Sequence, residues 1–156
     1  MPGLDKFDIG DIAMALQDQV DYEHFHLVDP QTGEMGYWTQ EGGVDGENPI
    51  DLDELDLVVI NPLPSYVWYQ DMADFAEGIS DERAGRRLER AIRGKGAFRH
   101  FKDELHEEYP ELLPVWHAFS DNRANRRAVR WLADNALVDH DTADRFAVEH
   151  PDPDLP

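Results

Sequence analysis

Residues 83 to 102 carry eight bases and one acid, Glu89, in a chain that is otherwise strongly acidic. The bases are Arg83, Arg86, Arg87, Arg90, Arg93, Lys95, Arg99 and Lys102. Ala84, Leu88, Ala91 and Ile92 interleave with the first five at helical spacing, so the segment reads as a helix with an apolar stripe and a cationic opposite side. The rest of the chain sharpens the contrast. Residues 1–82 hold twenty acids against Lys6 alone, residues 131–156 hold seven against Arg145, and the 156 residues sum to −20. Such a charge repels nucleic acid and anionic lipid at long range. Salt limits that repulsion to about 8 Å under physiological conditions, so a separated cationic face can act on its own. The competing arrangement packs the island against the acidic half and uses its charge inside the molecule.

With 41% hydrophobic residues the chain can bury a real core, and its length suits one domain, expected over residues 1–149. No cysteine is present, which excludes a disulfide framework, thiol chemistry and Cys-ligated metal. The longest wholly aliphatic run, Leu57–Ile60, is far short of a membrane span. The acidic stretch from Met1 to Asp11 lacks a basic-then-apolar leader pattern, so a cytoplasmic location is expected.

Residues 8–19 place Ile9, Ile12, Ala13 and Leu16 on one side of a short helix. Two β-prone runs, Tyr22–Val28 and Glu34–Thr39, flank an Asp29-Pro30-Gln-Thr-Gly33 turn and read as an antiparallel hairpin. Residues 41–56 form an acidic loop, expected to be mobile, and Leu57–Ile60 a short strand stopped by Asn61-Pro62. The pattern then becomes helical: Ser65–Gly78; a helix capped by Ser80 and broken at Gly94-Lys95-Gly96; and Ala97–Tyr109, with Phe98, Phe101 and Leu105 turned inward. A short helix between Pro110 and Phe119 follows, then one capped by Ser120 and running to Leu137. That last helix carries a second basic stripe, Arg123, Arg126, Arg127 and Arg130. A short helix is expected over Asp141–Val148, and the Pro- and Asp-rich residues 150–156 as a disordered tail. The fold class is therefore α+β: an N-terminal helix and small antiparallel sheet, followed by a four- to five-helix C-terminal half.

At Ala91-Ile-Arg-Gly-Lys-Gly-Ala-Phe-Arg-His-Phe-Lys-Asp-Glu-Leu105 the sequence resembles the bacterial uncharacterised protein family numbered 0158 in the UPF series, whose shared core is A-I-R-G-[RK]-G-A-F-R-x-F-K-D. The order of the opening helix, the hairpin, the Ile60–Pro64 stretch and the tryptophan-bearing Trp116–Trp131 segment agrees as well, so the resemblance covers roughly residues 8–138. The acidic loop at 41–56, the acidic tail and the wealth of arginine depart from the family pattern. The resemblance implies membership and brings no catalytic residue with it.

Arg93-Gly-Lys-Gly-Ala-Phe-Arg99 is the strongest functional candidate. Gly94 and Gly96 allow positive φ and close backbone approach, and a helix starts directly after them. Its first amides, with Arg86, Arg90, Arg93, Lys95, Arg99 and Lys102 nearby, make an anion site. The spacing is not that of a P-loop, since no strand precedes it and no second Gly-Lys-Ser/Thr follows. The same stretch also reads simply as a joint between two helices, and Phe98 and Phe101 read better as buried anchors than as base-stacking rings.

Other chemistries are thinly supported. His24 and His26 share a strand face beside Asp21 and Glu23, but the sequence places no third ligand among them. The acids at 45–56 fail the calcium-loop pattern at its glycine and terminal Glu. No Gly-x-Ser-x-Gly elbow occurs, and His100, His106 and His117 have no partner that the sequence can name.

The resulting expectation is a non-enzymatic binding or regulatory protein, without metal or cofactor. It docks an anionic partner (nucleic acid, nucleotide or acidic protein) on a basic helix–Gly-Lys-Gly–helix surface and has no dealings with membrane. The alternatives are a protein–protein adaptor whose basic helices are neutralised internally, or a small hydrolase or transferase that uses one of the middle histidines.

Overall fold

A computed structural model describes residues 3–18 and 24–156. The architecture is α+β: a three-stranded antiparallel sheet and, among the described residues, six α-helices. Contacts group the chain into two compact units. One comprises Met1–Leu63 with Ala124–Glu149, the other Pro64–Arg123 with His150–Pro156.

The first unit opens with α1 (Ile9–Gln17), where the Asp8 carboxylate accepts a bond from the Asp11 amide at 2.9 Å and so satisfies a first-turn donor. Ile12, Ala13, Ala15 and Leu16 form its buried side. The hairpin is β1 (His24–Val28) and β2 (Met35–Thr39), with His26 opposite Tyr37. Its Asp29 carboxylate accepts from the amides of Gln31 and Thr32, which fixes the turn. The part of the first run that includes Tyr22 lies outside the described residues.

Strand β3 (Val58–Ile60) pairs antiparallel with β1, giving the order β2-β1-β3. The acidic segment between β2 and β3 carries hydrogen bonds of its own. Trp38 Nε1 donates to the Ile50 carbonyl at 2.7 Å, and the Asp45 carboxylate accepts from the Glu47 amide and from both nitrogens of Asn48. The remainder of this unit is the C-terminal part of α5 (Leu113–Asp134), with Ala128, Val129 and Leu132 buried, and α6 (His140–Glu149).

The second unit is helical: α2 (Ser65–Gly78), α3 (Glu82–Ala91), α4 (Ala97–Glu108) and α5 as far as Arg123. Four aromatic rings make its centre. Phe75 meets Phe101, Trp116 and Phe119 edge-on at centroid distances of 6.2, 5.3 and 5.5 Å, and Phe101 meets Trp116 at 4.8 Å. Edge-to-face pairs of this kind each add about 0.5–1.5 kcal/mol beyond the area they bury.

Two helix boundaries differ from expectation. The helices expected on either side of Ser120 are one helix, α5. Pro114 stands in its first turn, where a missing N–H costs nothing. Trp116, Ala124, Ala128 and Leu132 continue a buried line at intervals of four or eight across the serine. At α3 the cap is Asp81 and not Ser80: its Oδ1 accepts from the amides of Arg83 and Ala84.

Residues 150–156, expected as a disordered tail, follow a defined path in the second unit. Asn122 Nδ2 donates to the carbonyls of His150 and Pro151, Leu155 lies against the aromatic core, and the Ser80 amide donates to Pro156 O at 2.6 Å. Composition suggested disorder, but one apolar anchor and several long-range bonds hold the segment.

Candidate functional site

The cationic surface grows out of α3. Ala84 and Leu88, with Ile92 just beyond the helix, are buried at 4% exposure or less, and so Arg83, Arg86 and Arg90 are turned to solvent. Long side chains on successive turns leave an open hollow of about 470 Å³ lined by Arg83, Arg86, Arg87 and Arg90. The helix stops at the Gly94-Lys95-Gly96 turn, where both glycines have positive φ, +81° and +74°. An L side chain disfavours that conformation, so the turn needs glycine at both places. Gly96 is also the N-cap of α4 and offers no side-chain oxygen to the first amides.

The sequence-predicted site residues Arg86, Arg90, Arg93, Gly94, Lys95, Gly96, Arg99 and Lys102 are all exposed. Among the described residues, no carboxylate stands within 4 Å of Arg83, Arg86, Arg90, Arg93, Lys95, Arg99 or Lys102. Arg87 is the exception on this stretch. Its Nε lies 2.7 Å from Glu104 Oε1, out of line for a hydrogen bond, and Nη1 lies 3.5 Å from Glu108 Oε2. Its guanidinium also sits 5.8 Å from the centre of the Tyr109 ring. Desolvation works against the Arg87 charge, but the two glutamates outweigh it and hold its pKa above the ordinary arginine value.

The second basic stripe, on α5, is used differently. In the helical unit, Arg123 Nη1 bonds Asp71 Oδ1 at 3.2 Å and Asp74 Oδ2 at 2.6 Å, while Nε and Nη2 grip Asp152 at 3.2 and 2.9 Å. The guanidinium also lies over the Phe119 ring at 4.4 Å. Burial opposes its charge, yet the bonds to Asp152, Asp74 and Asp71 prevail and raise its pKa. In the other unit, Arg130 Nη2 pairs with Asp144 at 2.8 Å. The two stripes look alike as sequence. In the fold, Arg123 and Arg130 are spent on internal acids, whereas most of the bases on and after α3 face water.

Phe98 corrects another expectation. Ala97, Phe101 and Leu105, spaced by four, form the buried stripe of α4, and Phe98, one position round, is 41% exposed beside Arg99 and Lys102. Its i, i+3 spacing to Phe101 suggested a core position. The i, i+4, i+8 line starting from Ala97 was the signal that could have found its exposure.

The remaining candidates are placed as follows. His26 Nε2 is 2.7 Å from Asp18 Oδ2, and His24 stacks on Tyr37 at 6.1 Å; Asp21 and Glu23 lie outside the described residues. No group of three potential metal ligands occurs among the described residues. His100, His106 and His117 are exposed. A cavity of about 500 Å³ that the sequence did not suggest lies beside Trp38, with Ile50, Asp51, Asp53 and Glu54 in its wall. No helix among the described residues is long and apolar enough to cross a membrane.

A family model described as "Uncharacterised protein family (UPF0158)" matches residues 13–148. The chain is also similar to the UPF0158 protein PA5073 of Pseudomonas aeruginosa, with 34% identity over 81 residues. That match takes in 52% of each chain, so about half the length of the relative is spanned. No solved structure matches.

Proposed function

We propose that this chain, which belongs to the uncharacterised protein family UPF0158, is a non-enzymatic binding protein that docks a polyanion on the cationic surface of α3, the Gly94-Lys95-Gly96 turn and the start of α4. One observation carries the reading: seven of the eight bases between residues 83 and 102 face water with no carboxylate in ion-pair range among the described residues. Like charges this close repel one another, and a polyanion relieves that repulsion while releasing its own counterions. The acids elsewhere in the chain then weaken nonspecific association at a distance and favour a contact confined to this surface.

Reversing three exposed bases together, Arg93→Glu, Lys95→Glu and Arg99→Glu, tests the reading. Fluorescence anisotropy with inorganic polyphosphate and with labelled oligonucleotides, at low and moderate salt, is the measurement. The parent is expected to bind with an affinity that falls as salt rises, and the triple variant to lose about tenfold or more. A parent that binds neither probe, or a variant that binds as the parent does, overturns the proposal.

The adaptor reading draws support from α5, where Arg123 and Arg130 are neutralised by Asp71, Asp74, Asp152 and Asp144. Extended to α3, it requires the same triple reversal to lower Tm sharply while no polyanion binds.

A further inference from the structure

Phe98 is the one apolar side chain of α4 that the fold leaves exposed, at 41%, and the chemistry around it is specific. Lys102 follows at i+4, the next turn of the same helix edge, and Arg99 adjoins in sequence. Lys95 stands on the turn just before the helix. All three are exposed, and among the described residues none has a carboxylate partner. An aromatic face set among unpaired cations offers a base a stacking surface and its flanking phosphates a counter-charge.

We infer that the polyanion is a single-stranded nucleic acid, with one base stacked on the Phe98 ring and the neighbouring phosphates held by Lys95, Arg99 and Lys102. The inference rests on the anion-binding reading above and narrows it. An acidic peptide or a polyphosphate has charge to match the lysines but no base to lay on the ring. A duplex has bases, but their faces are already stacked on one another.

The shape of the charged surface agrees. Arg83 to Arg90 covers about 10 Å along α3 at 1.5 Å per residue. The half-buried Glu89 lies within that span, and the exposed acids Asp103 and Glu107 follow on α4. A narrow cationic stripe bordered by acids suits one flexible strand better than a rigid double helix carrying charge on both strands.

The test uses the full chain and three probes: an oligothymidylate of about ten nucleotides, within the length that single-strand sites cover, a duplex of equal length, and inorganic polyphosphate. The expected order places the single strand above the duplex. Phe98→Ala is expected to weaken oligothymidylate binding by about tenfold, as loss of one base–aromatic stack does, and to leave polyphosphate binding unchanged. Phe98→Trp retains the parent affinity. Should Phe98→Ala lose its thermal transition, Phe98→Leu takes its place, with the same expected loss.

Oligothymidylate binding that is indifferent to Phe98→Ala or Phe98→Leu overturns the stacking inference and leaves the anion-binding reading standing without it. A duplex bound more tightly than the single strand also overturns the inference. A parent that binds none of the three probes overturns both readings.

Discussion

Asp152 meets Arg123 through two parallel bonds, Nε to Oδ1 at 3.2 Å and Nη2 to Oδ2 at 2.9 Å, across 29 residues of sequence. The fork geometry is one that arginine alone provides. On the free edge of the same guanidinium, Nη1 holds Asp71 and Asp74. One cation thus serves three carboxylates, and one of them, Asp71, is 1% exposed.

Arg123→Met removes the positive charge and breaks the ion pair with the buried Asp71 carboxylate. The expected loss is about 3 kcal/mol, the lower end for breaking a buried pair, because Asp74 and Asp152 are each about one-third exposed. Arg123→Lys keeps the charge but not the fork, and falls between parent and Arg123→Met. Urea unfolding of the three proteins measures the order, and a parent-like midpoint for Arg123→Met counts against the assignment.

Asp74 makes part of this stability acid-sensitive. Burial raises its pKa, but hydrogen bonds from Arg123 and Gln70 outweigh burial and hold it below the ordinary aspartate value. A depressed folded-state pKa stabilises fully above the unfolded value of about 4, and the contribution is lost as pH falls through the folded one. The stability gap between the parent and Asp74→Asn should therefore be widest near neutrality and close below about pH 4. Chemical denaturation across that range gives the comparison, and a gap independent of pH refutes it.

The caps give a sharper comparison among short side chains. Asp81→Ala removes the oxygen that accepts two first-turn amides of α3 and is expected to cost about 1 kcal/mol. Ser80→Ala leaves the backbone bond to Pro156 in place and should change little. Ser120→Ala, in the interior of α5, should be neutral or slightly stabilising, since alanine is the better helix former. Thermal melts rank the three, and a loss at Ser120 equal to that at Asp81 contradicts the placement.

What the sequence disclosed and what it hid divide along the range of the interactions. The α3 stripe was readable because its period is local: Ala84, Leu88 and Ile92 recur on one side and the arginines on the other, so exposure follows from spacing. The positive-φ turn was readable because two glycines around a lysine, just before a helix pattern, leave few other conformations.

The misplaced features depend on distant or competing contacts. Ser120-Asp121-Asn122 has the composition of a cap, yet packing of Phe119, Ala124 and Ala128 carries the helix through it. Phe98 and Phe101 are equally apolar, and only the line through Ala97 decides which is buried. Arg123 and Arg90 occupy similar helical stripes, but Asp71 lies 52 residues from Arg123, and no local pattern reports that meeting.

The two units are threaded rather than consecutive, with the chain passing between them at 63/64, 123/124 and 149/150, the second passage inside a continuous helix. Neither unit is thus a single stretch that a protease cut or a shortened gene could release intact. A fragment ending at residue 123 forfeits Asp152 and Leu155, and one beginning at residue 64 forfeits the whole sheet. Point substitution is consequently the finer instrument for dissecting what each unit contributes.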